Sequence, residues 1–221
     1  MTKLPLGLET DYPQKYAPET LCPIARSDSR EPLGIGQPLP FRGVDIWNAW
    51  ELTWLGDNGH PKVAVVEIRV PADSPNLVES KSLKLYLGSF AMSRFADAAH
   101  VATTIAADLS ECSGARVECT LDPDILISTL HGPCIDGLDI DCETWEVDAG
   151  LLVADERVVV EESLHSHLLR SLCPVTGQPD MGSVEVRYTG PYIDPASLLR
   201  YIASYREHND FHEACVERML V

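Results

Sequence analysis

Apolar and polar positions alternate along Val66-Glu-Ile-Arg-Val70 and again along Val184-Glu-Val-Arg-Tyr188. That period of two is the mark of a half-buried strand. Each stretch is followed by a Pro-containing loop and then by a related segment, Tyr86-Leu-Gly-Ser-Phe90 in the first half and Tyr201-Ile-Ala-Ser-Tyr205 in the second. Glu79 and Asp194 stand seven residues before the matching tyrosines. The ordered set predicts a duplicated β-α module. Apolar residues at helical spacing predict helices over 97–109, with Gly114 past the end, over 197–206 and over 211–220. A further helix is expected across 161–172, stopping before Pro174. Strands are expected near 62–70, 116–121, 144–147 and 183–188. The whole is an α+β pattern with antiparallel strands and helices on one face.

Residues 1–40 are rich in Pro and Gly and read as an extended, wrapping segment. Gly34-Ile-Gly36 runs into Gln-Pro-Leu-Pro rather than a helix, so it is no dinucleotide fingerprint. The expected partition is 1–40 for this segment, 41–150 for a first module and 151–221 for a second. The last residues, Cys215 to Val221, fall inside an apolar helical pattern. The second module is therefore expected to lack its closing strands.

The hydrophobic content of 45% fits a folded globular chain. No apolar run approaches the roughly 18 residues of a membrane span, and the N-terminus does not read as a signal peptide. A cytoplasmic protein without membrane partners is expected. The net charge of −17 argues against a surface that follows a nucleic-acid backbone. A small substrate fits better. The seven cysteines are odd in number and form no Cys-x-x-Cys pair, which argues against a disulfide framework or a common zinc ribbon.

One thiol stands apart. Ser171-Leu-Cys-Pro-Val-Thr-Gly-Gln-Pro-Asp180 sets Cys173 seven residues before Asp180 across a turn-rich linker. A thiolate is a strong nucleophile, and a nearby carboxylic acid can protonate what it attacks. Glu79-Ser-Lys-Ser-Leu-Lys84 reads in two ways. It is a charged loop opening a helix with Ser80 or Ser82 as cap, or a helix N-terminus where Lys81 holds a phosphate and Glu79 pairs with two adjacent N–H donors of a guanine-like ring. His208 and His212 lie four apart on an expected helix and share a face, a weak metal signal that lacks a third ligand. His212-Glu213 suits the positioning of a heterocycle. His165 and His167, two apart on the expected 161–172 helix, point in different directions, so a shared metal is not expected there.

Taken with Leu39-Pro-Phe41, Gly43-Val-Asp-Ile-Trp47, Trp50-Glu-Leu-Thr-Trp54, Ser166-His-Leu-Leu-Arg-Ser-Leu-Cys173, Gln178-Pro-Asp180 and His208 to Arg218, these segments resemble the NADPH-dependent 7-cyano-7-deazaguanine reductases in their two-module form. The resemblance implies a tunnelling fold (T-fold), two tandem β-β-α-α-β-β modules with antiparallel sheets. It also implies NADPH-dependent four-electron reduction of the preQ0 nitrile to the aminomethyl group of preQ1, a free-base step in queuosine biosynthesis for tRNA. Cys173 then matches the nucleophile that forms a covalent thioimide, and Asp180 the proton donor. Val78, Glu79, Ser80, His212 and Glu213 match substrate-binding positions, and Ser80 and Lys81 match NADPH-binding positions. No metal is implied, and a homodimer is the family expectation. An Arg-Gly pair that contacts NADPH in the family's last strands has no counterpart here. Two other readings compete: a metal-dependent purine or pterin enzyme of the same fold, and a non-catalytic deazapurine-binding module.

Overall fold

In a computed structural model the chain is described over residues 12–123 and 129–221. The first eleven residues of the expected N-terminal segment lie outside these. The elements are β1 (Pro23–Ala25), α1 (Ser27–Arg30), β2 (Val44–Leu55), β3 (Pro61–Pro71), β4 (Asn76–Val78), α2 (Ser80–Gly88), α3 (Ala98–Ser113), β5 (Glu118–Leu121), β6 (Ala154–Leu172), β7 (Pro179–Ile193), α4 (Pro195–Ser204) and α5 (His212–Leu220). All strand pairs are antiparallel, in the orders β1-β4, β2-β3-β5 and β6-β7. Two compact units result, one of residues 1–125 with 216–221, the other of residues 126–215.

In the first unit the alternation expected around Val66 is the inward face of β3: Ala64, Val66, Ile68 and Val70 are all buried. Leu52 and Trp54 of β2, and Val101, Ile105 and Leu109 of α3, close the same core. The α3 residues recur at four-residue spacing, the stripe of a helix that buries one side. Asp97 caps α3 through the His100 N–H at 2.7 Å, and Gly114 ends it at φ +75°. A Cβ on Gly114 would meet Pro75 at 2.5 Å, so only glycine fits there. Tyr16 and Tyr86 both donate to Asp108. Burial first, and then that carboxylate, push both phenols well above their ordinary pKa.

The N-terminal segment is more structured than an extended wrap. β1 pairs with β4, and a buried ion cluster follows. Arg26 reaches Asp45 and, at 3.3 Å, Glu217. Arg30 grips both oxygens of Glu217 at 2.6 and 2.7 Å and also donates to the Ala72 carbonyl. Such fork geometry is what makes a buried guanidinium–carboxylate pair tolerable.

The second unit corrects the sequence reading. Residues 161–172 form the end of β6, not a helix. Leu164, Leu168 and Leu172 are spaced as on a helix, but the buried positions are Leu164, Ser166, Leu169 and Ser171. The register shows why. Ser166 faces Val184 and Leu169 faces Gly182, so His167 and Leu168 together oppose Ser183 alone. This β-bulge adds one residue and shifts the alternation by one, which imitates a longer period. No strand forms over 144–147; that segment has no ladder partner among the described strands. β2 escaped the sequence reading, although its Trp and Thr residues favour a strand.

Removing Glu217 leaves two buried guanidinium groups without their shared carboxylate. Glu217→Ala should therefore lower the unfolding free energy by about 3–5 kcal/mol, read from urea unfolding of the first unit's tryptophan fluorescence. The exposed Arg69–Glu67 pair serves as the control. There Glu67→Ala should cost less than about 1 kcal/mol.

Candidate active site

The expected site residues fall into two groups, each inside one unit. In the second unit, β6 and β7 form a long hairpin whose tip carries Cys173. The Cys173 N–H donates to the Gln178 carbonyl at 2.8 Å, and its carbonyl accepts from Gly177 at 2.9 Å. Gly177 takes φ +68° to close this turn. Ser171 lies directly opposite Asp180. Cys173 is two residues beyond Ser171, so Cys173 and Asp180 are diagonal neighbours on one face of the ribbon. Diagonal neighbours stand roughly 7–8 Å apart at the backbone.

The same face carries His212. Gly182, opposite Leu169 and two residues from Asp180, leaves its space to the imidazole: a Cβ there would lie 3.9 Å from His212 Cε1. The chain before His212 is tied to β6. Leu172 donates to the His208 carbonyl at 2.8 Å and accepts from the Asp210 N–H at 3.2 Å, a parallel bridge on the strand's outer edge. His208 is thus outside α5, and the shared helical face expected for His208 and His212 does not exist. Its ring packs edge-on against Tyr205, with Nε2 3.7 Å from the Asp210 carboxylate. Glu213 sits in the first turn of α5, where a carboxylate suits the helix dipole.

Sequence reasoning missed Ser171. It is 1% exposed, and its Oγ has no hydrogen-bond partner among the described residues. A buried hydroxyl without a partner calls for an explanation. Reading 171–173 as a strand would have placed Ser171 and Cys173 side by side; reading it as a helix did not.

In the first unit, Val78, Glu79, Ser80 and Lys81 meet where β4 enters α2. Glu79 is 1% exposed and is itself the cap, accepting from the N–H groups of Lys81 at 2.9 Å and Ser82 at 2.7 Å. Neither Ser80 nor Ser82 takes the cap role expected for it. Ser82 Oγ instead donates to the Glu79 carbonyl at 2.7 Å. Ser80 is exposed and Lys81 half-exposed. Ser80 opens onto a groove of about 400 Å³ whose lining includes Trp47, Trp50, Leu83 and Lys84.

Accessibility and pKa together sort the thiols. Cys22 and Cys215 are buried. Burial pushes Cys112 up to about 11 and Cys119 up to about 12. Cys134 is exposed, and Cys112, Cys119, Cys142 and Cys173 are half-exposed, so the raised pKa rather than accessibility sets Cys112 and Cys119 apart.

Comparison with known proteins gives this geometry a context. Residues 12–121 match the family model described as "Nitrile reductase, 7-cyano-7-deazaguanine-reductase N-term", and residues 179–221 match that of "QueF-like protein". A relative from Azoarcus sp. (strain BH72), named NADPH-dependent 7-cyano-7-deazaguanine reductase, is 54% identical over 97% of this chain and 78% of its own length. The chain belongs to the 7-cyano-7-deazaguanine reductase family. Proteins of the same name from Paraburkholderia phymatum and Chromohalobacter salexigens are 51% and 50% identical, each over 98% of this chain. The two family matches contain Glu79, Ser80, Lys81, Asp180, His212 and Glu213. Cys173 lies between them, inside the stretch that aligns with the full-length relatives.

Brief alkylation of the native protein at pH 8, followed by peptide mass spectrometry, should modify Cys134, Cys142 and Cys173. Cys22 and Cys215 should be spared by burial. Cys112 and Cys119 should be spared because they stay neutral thiols until the pH approaches about 11 and 12. A native protein that labels at Cys119 but not at Cys173 would contradict this order.

Proposed function

We propose that this protein reduces the nitrile of 7-cyano-7-deazaguanine to an aminomethyl group with NADPH, through a covalent adduct on Cys173. The observation that carries the reading is the β6–β7 hairpin, whose tip holds a half-exposed thiol diagonal to Asp180 and whose Gly182 lies against His212. Family membership, and the shared name of relatives at 50–54% identity, give the substrate and cofactor. The acidic chain fits a free base rather than a nucleic-acid substrate. The tunnelling-fold arrangement of two modules, a homodimer and a place in queuosine synthesis belong to the same reading.

A nitrile carbon is a poor electrophile. The Cys173 sulfur adds to it, a C–S bond forms, and the nitrogen takes a proton from Asp180, giving a thioimide. When bound, NADPH supplies the two hydrides that carry this adduct to the amine, and the C–S bond breaks to return the thiolate. Two hydrides and two protons are added in all, which balances the four-electron change. His212 lies over the same face and orients the ring, and the Ser171 hydroxyl offers a donor beside the reacting carbon. Exclusion of water protects the imine-level stage from hydrolysis.

Ser80 and Lys81 fit a cofactor phosphate only in part. The first-turn N–H groups of α2 are already taken by Glu79, so a phosphate there would rest on the Ser80 hydroxyl and the Lys81 ammonium. Val78, Glu79 and Glu213 are assigned to the substrate. Glu79 has lone pairs beyond the two used in the cap, and these would accept from adjacent N–H donors of the base.

Intact-mass spectrometry after incubation with 7-cyano-7-deazaguanine, without NADPH, tests the reading. The protein should gain the mass of one substrate, and Cys173→Ala should gain none. Asp180→Asn should slow adduct formation by about 10²–10⁴-fold. A folded protein that never forms the adduct would refute the mechanism.

A further inference from the structure

The side of β6 opposite Cys173 carries a second cluster that the reduction does not use. On a strand, residues two apart share a face, so His165 and His167 point the same way; their rings lie 5.2 Å apart. The expectation that they diverge rested on a helix that does not form. A short segment lies against the free edge of β6 beside them. The His165 N–H donates to the Pro133 carbonyl at 3.1 Å, and the Ile135 N–H donates to the His165 carbonyl at 3.0 Å. This parallel bridge sets Cys134 directly beside His165. Donor atoms of Cys134, His165 and His167 all lie within 4.8 Å of one another.

We propose that Cys134, His165 and His167 bind a divalent transition metal of zinc-like softness, with a fourth position left to water. One thiolate and two imidazoles form a donor set suited to zinc. Bonds of about 2.0–2.3 Å to a tetrahedral ion put ligand atoms roughly 3–4 Å apart, so the donors need to draw together by no more than about 1–2 Å.

The surroundings are built as a metal site requires. His165 Nδ1 faces the His131 carbonyl at 3.1 Å, so it carries the proton and Nε2 holds the lone pair. His167 Nδ1 sits 2.7 Å from Ser183 Oγ, and when that hydroxyl accepts from it Nε2 is left for the metal. Ser183 is the residue that the β-bulge sets opposite His167. The Asp136 carboxylate pins the cysteine's segment to the strand, accepting from Ser166 Oγ at 2.6 Å and from the His167 N–H at 3.1 Å. Gly132 lets the segment approach: at φ +74°, a Cβ there would stand 1.7 Å from the Ser163 carbonyl oxygen. Cys134 and His167 are exposed and His165 half-exposed, so an ion can enter from solvent.

The tag-free full chain, stripped with a chelator and held reduced with a phosphine, is titrated with Co²⁺ as a spectroscopic substitute for zinc. One Co²⁺ per chain should produce a thiolate-to-cobalt charge-transfer band and the intense visible bands of a tetrahedral site, and Zn²⁺ should abolish both. Cys134→Ser should remove the charge-transfer band. His167→Gln should weaken binding by more than the roughly 10–100-fold typical of losing an outer-sphere partner. Cys173→Ala should leave the spectrum unchanged, which separates this site from the nucleophile. The proposal falls if the wild-type protein gives no thiolate band, if the band survives in Cys134→Ser, if His167→Gln binds as tightly as wild type, or if Cys173→Ala loses the spectrum.

Discussion

A single inserted residue in β6 governs what the second unit can do. Upstream of the bulge the buried face of the strand holds Leu164 and Ser166; downstream it holds Leu169 and Ser171. Because alternation has a period of two, one extra residue exchanges the faces for everything that follows. Cys173 thereby joins Ser171, Asp180 and Gly182 on the side that also receives His212. Without the bulge Cys173 would face the same way as His165, away from its carboxyl partner. The insertion also turns the His167 N–H from β7 toward Asp136. One irregularity thus assembles a thiol–carboxyl pair on one face and a histidine pair on the other.

The edge of β6 away from β7 has to be satisfied as well, since unpaired backbone groups invite mispairing. Two short segments cover it, 133–135 at His165 and 208–210 at Leu172. Each brings side chains to the neighbouring face: Cys134 beside the histidines, and His212 against Gly182. Edge protection and site assembly are therefore the same hydrogen bonds. Gly132 and Gly177 are fixed by this arrangement, the first by close backbone approach and the second by its turn.

Local chemistry was legible in the sequence wherever it acts over one or two turns. Glu79 and Asp194, matched in the sequence, make the same bonds. Both carboxylates cap their helices through the N–H groups two and three residues on. Ser82 and Ser197 return a bond of 2.7 Å to the carbonyl of the cap residue, and Ser89 and Ser204 bond the carbonyls of Tyr86 and Tyr201 at 2.6 Å. The turn that joins Cys173 to Asp180 was legible in its Pro, Thr and Gly residues. What depended on long-range pairing was not. The bulge gave β6 the look of a helix, and that error hid Ser171 and separated His165 from His167. The placement of residues 131–136 depends on a strand some thirty residues later, and nothing local announces it.

The Glu79 cap bears on how a base can be held. A carboxylate offers about four lone-pair positions; two are fixed by the Lys81 and Ser82 N–H groups, and the Ser80 hydroxyl donates to one oxygen at 3.5 Å. Those bonds freeze the side chain in one orientation before any ligand arrives, so little rotamer entropy remains to be lost on binding. With 1% of Glu79 exposed, the remaining positions sit in a poorly solvated setting where a charge-assisted hydrogen bond is stronger than in water. The same burial makes an unmatched partner costly, because a ring lacking the paired donors would leave the carboxylate's free positions without hydrogen bonds. Under the proposed function, then, the residue that starts the helix is also placed to discriminate among heterocycles. Asp194 occupies the equivalent cap with a side chain one methylene shorter, and this difference in reach leaves the duplicated caps unequal as ligands.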